Sequence, residues 1–276
     1  MHPIILKLKG IAKELKARNI DKAIIKVIIK EELQNHILNA IYHDSTTKEL
    51  IFTGGTALRK LYKLDRFSED LDFNNTRTIN LKSVGKIVSD YFRSINFNYV
   101  DYSIQQGKLL NRITFKFAIL KLIELSPMDM EKLHVKVEIC KTKKTYHTDL
   151  SPLQIDSLSL VIKHYSLPVM MSGKILACLE RIWRKGTTPI KIKGRDYYDL
   201  VWYMQQKIVP DKRKLTETNS DMTIEKAFMR LDKKVKKISS NDLLADLQTY
   251  HADPVFIRDW CDNFHEFYAR YRKSYP

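Results

Sequence analysis

The sequence predicts an α/β chain of the α+β kind, with a sheet and its helices in the first half and an almost wholly helical second half. Three observations predict it. Apolar and polar residues alternate with a period of two over residues 70–73, 111–117 and 134–139, as in strands with one buried face. Apolar residues recur at helical spacing through residues 1–47. From Ser172 onward the pattern is helical almost to the end. At 276 residues the chain suits two modest domains, and the change of pattern places their boundary near residue 170, giving domains 1–170 and 171–276.

The elements follow in order. Ile11, Leu15, Ile24, Ile25, Val27, Ile28, Leu33, Ile37, Leu38 and Ile41 mark helices, and Glu14, Asp21, Glu31 and Glu32 among the lysines argue against a transit peptide. A strand ends at Ile51 and Phe52, the pair Gly54 and Gly55 turns the chain, and a short helix runs through Ala57, Leu58, Leu61 and Tyr62. The strand at 70–73 comes next, then a helix over 81–92 and the strands at 111–117 and 134–139. Residues 158–171 read as a further β-rich piece. Ser172 is the expected N-cap of the next helix and Gly186 its stop. Ile175, Leu176, Leu179, Ile182 and Trp183 would form its buried stripe, leaving Lys174 and Arg181 together on another face.

Composition excludes several classes. Hydrophobic residues at 44% with 29% charged fit a folded soluble chain rather than a disordered one. No apolar run reaches the roughly 18 residues of a membrane span, so no membrane association is expected and the cytoplasm is the expected location. Cys140, Cys178 and Cys261 show neither disulfide nor zinc spacing. The formal charge of +16 favours a polyanionic partner, and much of the excess falls within 132–195 and 207–237. A merely solubilising surface is the competing reading.

The sharpest candidate site is Thr53, Gly54, Gly55 and Thr56 followed by Arg66, Ser68, Asp70 and Asp72. Strand, double glycine and helix suit a phosphate: the glycines let backbone approach it, Thr56 is expected to cap the helix, and the helix start favours negative charge. Asp70 and Asp72, two apart on a strand, project from one face while Leu71 and Phe73 point inward. Two such carboxylates repel unless a cation lies between them, which is the electrostatic case for Mg²⁺. Glu138, opposite the buried valines of its own strand, is a candidate third ligand. Taken singly, each could be a solvated strand residue. Lys174 and Arg181 could be the outer face of an amphipathic helix, and Asp196 and Asp199 plain first-turn acids.

Together these residues resemble the AbiEii/AbiGii toxin family within the polymerase-β-type nucleotidyltransferases. The resemblance rests on Gly54-Gly55-Thr56, on Arg66-x-Ser68-x-Asp70-x-Asp72-Phe73, on Glu138, on Lys174-x6-Arg181 and on Arg195-Asp196-x-x-Asp199. Thr56 stands where serine is common, and residues 185–194 lengthen the last connection. The resemblance implies a polymerase-β-like domain with a mixed sheet and a helical C-terminal domain that completes the active-site groove. It implies Mg²⁺-dependent transfer of a nucleoside monophosphate from an NTP, with two metal ions. Asp70, Asp72 and Glu138 would be metal ligands and, with Lys174 and Asp196, catalytic residues. Gly54, Gly55, Thr56, Arg66, Ser68, Lys174, Arg181 and Arg195 would hold the nucleotide. An RNA acceptor such as the 3′ end of tRNA, a type IV toxin–antitoxin role with an antitoxin encoded alongside, and phage abortive infection belong to the same implication. The alternatives are a protein or small-molecule acceptor, or an NTP- or RNA-binding module without turnover.

Overall fold

The computed structural model describes residues 1–107, 110–181 and 192–276. The chain divides into two compact units, Met1–His164 and Tyr165–Pro276. Ile182, Trp183, Gly186 and most of the 185–194 connection lie outside the described residues.

In the first unit, α1 (Pro3–Ala17) and α2 (Lys22–His43) lead into β1 (Ile51–Thr53), α3 (Gly54–Tyr62), β2 (Asp70–Asn75) and α4 (Leu81–Ser94). β3 (Val100–Gln106), β4 (Leu110–Phe117), β5 (Leu133–Lys141), β6 (Thr148–Ile155) and β7 (Leu158–Tyr165) follow. Helix starts are set by local chemistry. Asp21 accepts from the Ala23 amide at 2.7 Å and Asn80 from the Lys82 amide at 2.9 Å, each satisfying an otherwise orphaned donor. Among the described residues the strands form one mixed sheet in the order β3-β4-β5-β2-β1-β7-β6. β2 runs parallel to β5 and β1 parallel to β7, while β1/β2, β3/β4 and β4/β5 are antiparallel.

β2 lies inside this sheet and alternates as its sequence predicts. Leu71 and Phe73 are fully buried, and Phe73 packs on Phe52 with ring centroids 5.2 Å apart and on Tyr42 at 6.4 Å. Asp70 and Asp72 face the other way, half-buried. β3 and β6 were not expected from the sequence. They are the two outer strands, and neither has a fully buried residue, so no apolar period marks them.

The second unit is helical: α5 (Leu167–Glu180), α6 (Gly194–Gln205), α7 (Lys212–Leu215), α8 (Ile224–Val235), α9 (Ser240–Leu247), a 3₁₀ turn (Gln248–Tyr250), α10 (Pro254–Asp262) and α11 (Phe264–Arg272). α5 begins earlier than the sequence predicts. Pro168 sits in its first turn, where a missing N–H is harmless and a fixed φ helps. Ser172 is therefore not the N-cap. It is buried within the helix, its Oγ 3.0 Å from the carbonyls of both Pro168 and Asp211. Elsewhere the caps are conventional: Thr223 starts α8, and Ser239 with Asp242 forms a reciprocal capping box on α9. Asp232 of α8 accepts from the Tyr268 hydroxyl at 2.7 Å and from Arg272 Nε at 3.1 Å, tying α8 to α11.

Candidate active site

The glycine turn and the two aspartates of the first unit are one construction. Gly54 has φ +78°, a conformation that L side chains rarely adopt. A Cβ there would stand 2.3 Å from Asp72 Oδ2, so the carboxylate occupies the space glycine leaves open. A Cβ at Gly55 would meet Arg66 Nη2 at 2.4 Å. Arg66 is buried against this turn and also donates through Nη1 to the Phe67 carbonyl at 2.9 Å.

Thr56 does not cap the helix, as its position in sequence suggested. The residue at the N-cap is Thr53, whose side chain makes no capping bond. Thr56 lies one turn in, fully buried, its Oγ1 2.7 Å from Ser68 Oγ and 2.5 Å from the Asp70 carbonyl. Thr56 and Ser68 thus fix the entry of β2 rather than presenting hydroxyls outward. α2 holds the same segment from the other side. Gln34 Nε2 donates to the carbonyls of Ser68 (3.0 Å) and Glu69 (2.9 Å), Glu31 accepts from the Ser68 amide at 3.1 Å, and Lys30 pairs with Glu69 at 2.6 Å.

Register gathers the remaining groups. In the parallel β2/β5 pair Asp72 stands beside Glu138 and Asp70 beside Lys136; across β5, Arg112 of β4 stands opposite Glu138. Glu138 Oε1 is taken by that guanidinium, at 2.8 Å from Nε and 2.6 Å from Nη2. Among the described residues no group of three or more Asp, Glu, His or Cys side chains could hold a metal ion. Asp70 and Asp72 are the hard oxygen donors a divalent cation prefers, and they share a face, so the pair fits Mg²⁺. Glu138 lies in the adjacent register but is committed to Arg112.

The second unit builds a separate cluster. Lys174 of α5 reaches Asp196 Oδ1 and Asp199 Oδ2, both at 2.8 Å, and Arg181 Nη1 reaches Asp196 Oδ2 at 2.7 Å. Both acids lie one turn apart on α6 and are buried. Burial works against the charge on Asp196, but Lys174, Arg181 and Lys193 outweigh it and hold the carboxyl below its usual range. Asp196 is therefore an ion-pair hub rather than a first-turn acid facing water. Arg195 points elsewhere: its Nε and amide both approach Asp246 Oδ2, at 3.3 and 3.0 Å, and its guanidinium stacks 3.9 Å over Tyr250. A cleft of about 410 Å³ opens beside the hub, lined by Arg181, Lys193, Asp196, Tyr197, Lys234 and Lys237 among others.

Sequence reasoning missed Arg112, Lys136, Glu31, Gln34 and Lys193. Arg112 carried a usable signal, since it alternates with Ile113 in a recognisable strand, but its pairing with Glu138 depends on a register no local pattern reveals.

A family model described as the nucleotidyl transferase AbiEii toxin of a type IV toxin–antitoxin system matches residues 36–271. Among solved structures, JHP933 from Helicobacter pylori is similar at 18% identity and a TM-score of 0.51, covering 90% of this chain and 94% of that one. A candidate nucleotidyltransferase from H. pylori is similar at 18% identity and a TM-score of 0.52, covering 90% and 96%. At that identity the likeness concerns the fold. Comparison with curated proteins gives no match. The match over most of the chain settles the classification: the protein is a nucleotidyltransferase and belongs to the AbiEii toxin family.

Proposed function

We propose that the protein transfers a nucleoside monophosphate from an NTP to the 3′ end of an RNA such as tRNA, as the toxin of a type IV toxin–antitoxin pair. The oxygen nucleophile of the acceptor forms the new bond to the α-phosphorus, the α–β anhydride bond breaks, and pyrophosphate leaves. Asp70 and Asp72 would hold Mg²⁺, which when bound neutralises phosphate charge and polarises the reacting oxygens. Glu138 would join them once released from Arg112. Gly54 and Gly55 let Asp72 and Arg66 close on the start of α3, whose amides would face the phosphate, while Ser68 holds Thr56 of that helix. Lys174 and Arg181, oriented by Asp196, would neutralise charge on the triphosphate and on the departing pyrophosphate. On this reading the reaction takes place in the cytoplasm, under restraint by an antitoxin encoded alongside.

The observation that supports the reading is the fit of Asp72 into the space left by Gly54, because a carboxylate seated against a glycine turn would bring metal and phosphate chemistry together. The chain's formal charge of +16 supports a polyanionic acceptor. The test incubates the protein with each α-labelled NTP, Mg²⁺ and total RNA. Label should enter RNA with the wild type and not with Asp70→Asn or Asp72→Asn, while both variants melt close to wild type. Label appearing on protein or on a small molecule would replace RNA as the acceptor, and full activity in either variant would remove the carboxylates from the site.

A further inference from the structure

Helix α8 carries its charge asymmetrically. Ile224, Ala227, Phe228, Leu231 and Val235 are its buried side. At 100° per residue, Lys226, Arg230, Lys233 and Lys237 fall within a sector of about 60° on the far side, a stripe about 16 Å long. Lys237 lies just beyond the helix end. Among the described residues, no carboxylate pairs with any of these four, the nearest polar partner being the Asp221 carbonyl beneath Lys226 Nζ. Six surface lysines of the first unit, Lys7, Lys9, Lys26, Lys30, Lys121 and Lys163, each hold a carboxylate, whereas among the described residues Lys13, Lys48 and Lys82 there do not, and they lie on separate segments rather than in one stripe. Asp232, the acid within α8 nearest the stripe's end, is turned away onto Tyr268 and Arg272. Asp221 and Asp242 lie near its two ends without pairing to it, so the four cations outnumber the acids beside them and repel one another unless an anion lies along them.

Two clefts give the stripe a direction. Lys226, Arg230 and Lys233 wall a cleft of about 400 Å³ that also contains Asp221 and Met229, a residue 51% exposed. Lys234 and Lys237 wall the cleft that holds Arg181, Lys193 and Asp196. Lys234 Nζ donates to the carbonyls of Cys178 at 3.1 Å and Leu179 at 2.5 Å, anchoring α8 to the last turn of α5 next to Arg181.

We propose that this face of α8 is the docking track for the phosphodiester backbone of the acceptor RNA, leading along Lys226, Arg230, Lys233 and Lys237 toward the cleft beside Asp196. The proposal rests on the reading that the acceptor is RNA. Evenly spaced cations suit a repeating phosphate, and Met229 among them offers an apolar surface to a base or ribose without demanding a particular sequence. The stripe would position the acceptor, leaving the chemistry to other residues.

The test uses the full chain and fluorescein-labelled bulk tRNA, with affinity measured by anisotropy across a salt series. In Lys226→Gln/Arg230→Gln/Lys233→Gln, affinity at about 0.1 M salt should fall by roughly tenfold or more, and the slope of log K against log salt should shrink by about 2, at about 0.7 per lost phosphate contact. ATP binding and melting temperature should not change. A control, Lys13→Gln/Lys48→Gln/Lys82→Gln, removes the same net charge from exposed lysines of the first unit and should leave the slope as in the wild type. Equal slopes for the two triple variants would overturn the proposal. So would a stripe variant that keeps tRNA but loses poly-L-glutamate, which would give the surface to an acidic protein. Failure of the wild type itself to bind tRNA would reject the RNA acceptor instead, a result distinct from failure of the stripe.

Discussion

Gly54→Ala tests the construction on which the site depends. The substitution acts twice. Backbone at φ +78° places an L side chain in the left-handed half of conformational space, at about 1–2 kcal/mol. The new methyl would also stand 2.3 Å from Asp72 Oδ2 and 3.0 Å from Asp72 Cβ. The carboxylate must therefore retreat by roughly 1 Å, and a misplacement of that size costs about 100-fold in rate where groups must be aligned. For a unit of this size the backbone part alone should lower the melting temperature by about 2–8 °C. Nucleotide transfer and thermal melting measured on the same preparations give both numbers. In an Asp72→Gly background neither the carboxylate nor its Cβ meets the methyl, so the stability cost of Gly54→Ala should shrink to the backbone part. A Gly54→Ala variant that melts and turns over like the wild type would refute the reasoning, since neither the backbone angle nor the seat of Asp72 would then need glycine.

Asp196→Asn should destabilise the second unit by about 1–3 kcal/mol in urea titration, below the range for breaking a fully buried pair, because Lys174 keeps Asp199 and Arg181 is 41% exposed. An unchanged midpoint would show that the hub carries no net stability. Burial, with help from Arg195, lowers Lys193 to about 8 although Asp196 opposes the shift, so its charge is present below that pH and lost as pH rises through it. NTP affinity should accordingly decline between about pH 7 and 9, and Lys193→Met should flatten that decline; a wild-type affinity level to pH 9 would exclude Lys193 from the anion site. The sign for folding is opposite. The unfolded lysine holds its proton to a higher pH than the folded one, so stability gains from Lys193, and from Lys60, also lowered to about 8 by burial, as pH rises above 8.

Local pattern revealed what local chemistry dictates. Leu71 and Phe73 against Asp70 and Asp72 gave the face of β2, and the valines of β5 gave that of Glu138, because a central strand with one buried face alternates strongly. Edge position hid β3 and β6: Tyr102 and Ile104 are only half-buried, Leu150 is exposed, and Pro152 interrupts β6 where no inner strand would tolerate it. The start of α5 was misread because Ser172 resembles a cap, while Pro168 was the better signal. Helix spacing put Lys174 and Arg181 on one face and the family resemblance named Asp196, but neither joined them, since a salt bridge between α5 and α6 is a fact of packing. The same holds for Arg112 on Glu138 and for Gln34 beneath Ser68.

The interior place of β2 also governs how the site can breathe. Its amides and carbonyls are shared with β1 on one side and β5 on the other, whereas β3 and β6 each have one open flank. Amide hydrogens near Asp70 and Asp72 should exchange only in the deepest opening events of the first unit, long after the outer strands have exchanged. Asp70 and Asp72 then sit on some of the least adaptable backbone of the first unit. Within the first unit, any adjustment falls to more loosely held groups such as the half-exposed Arg112.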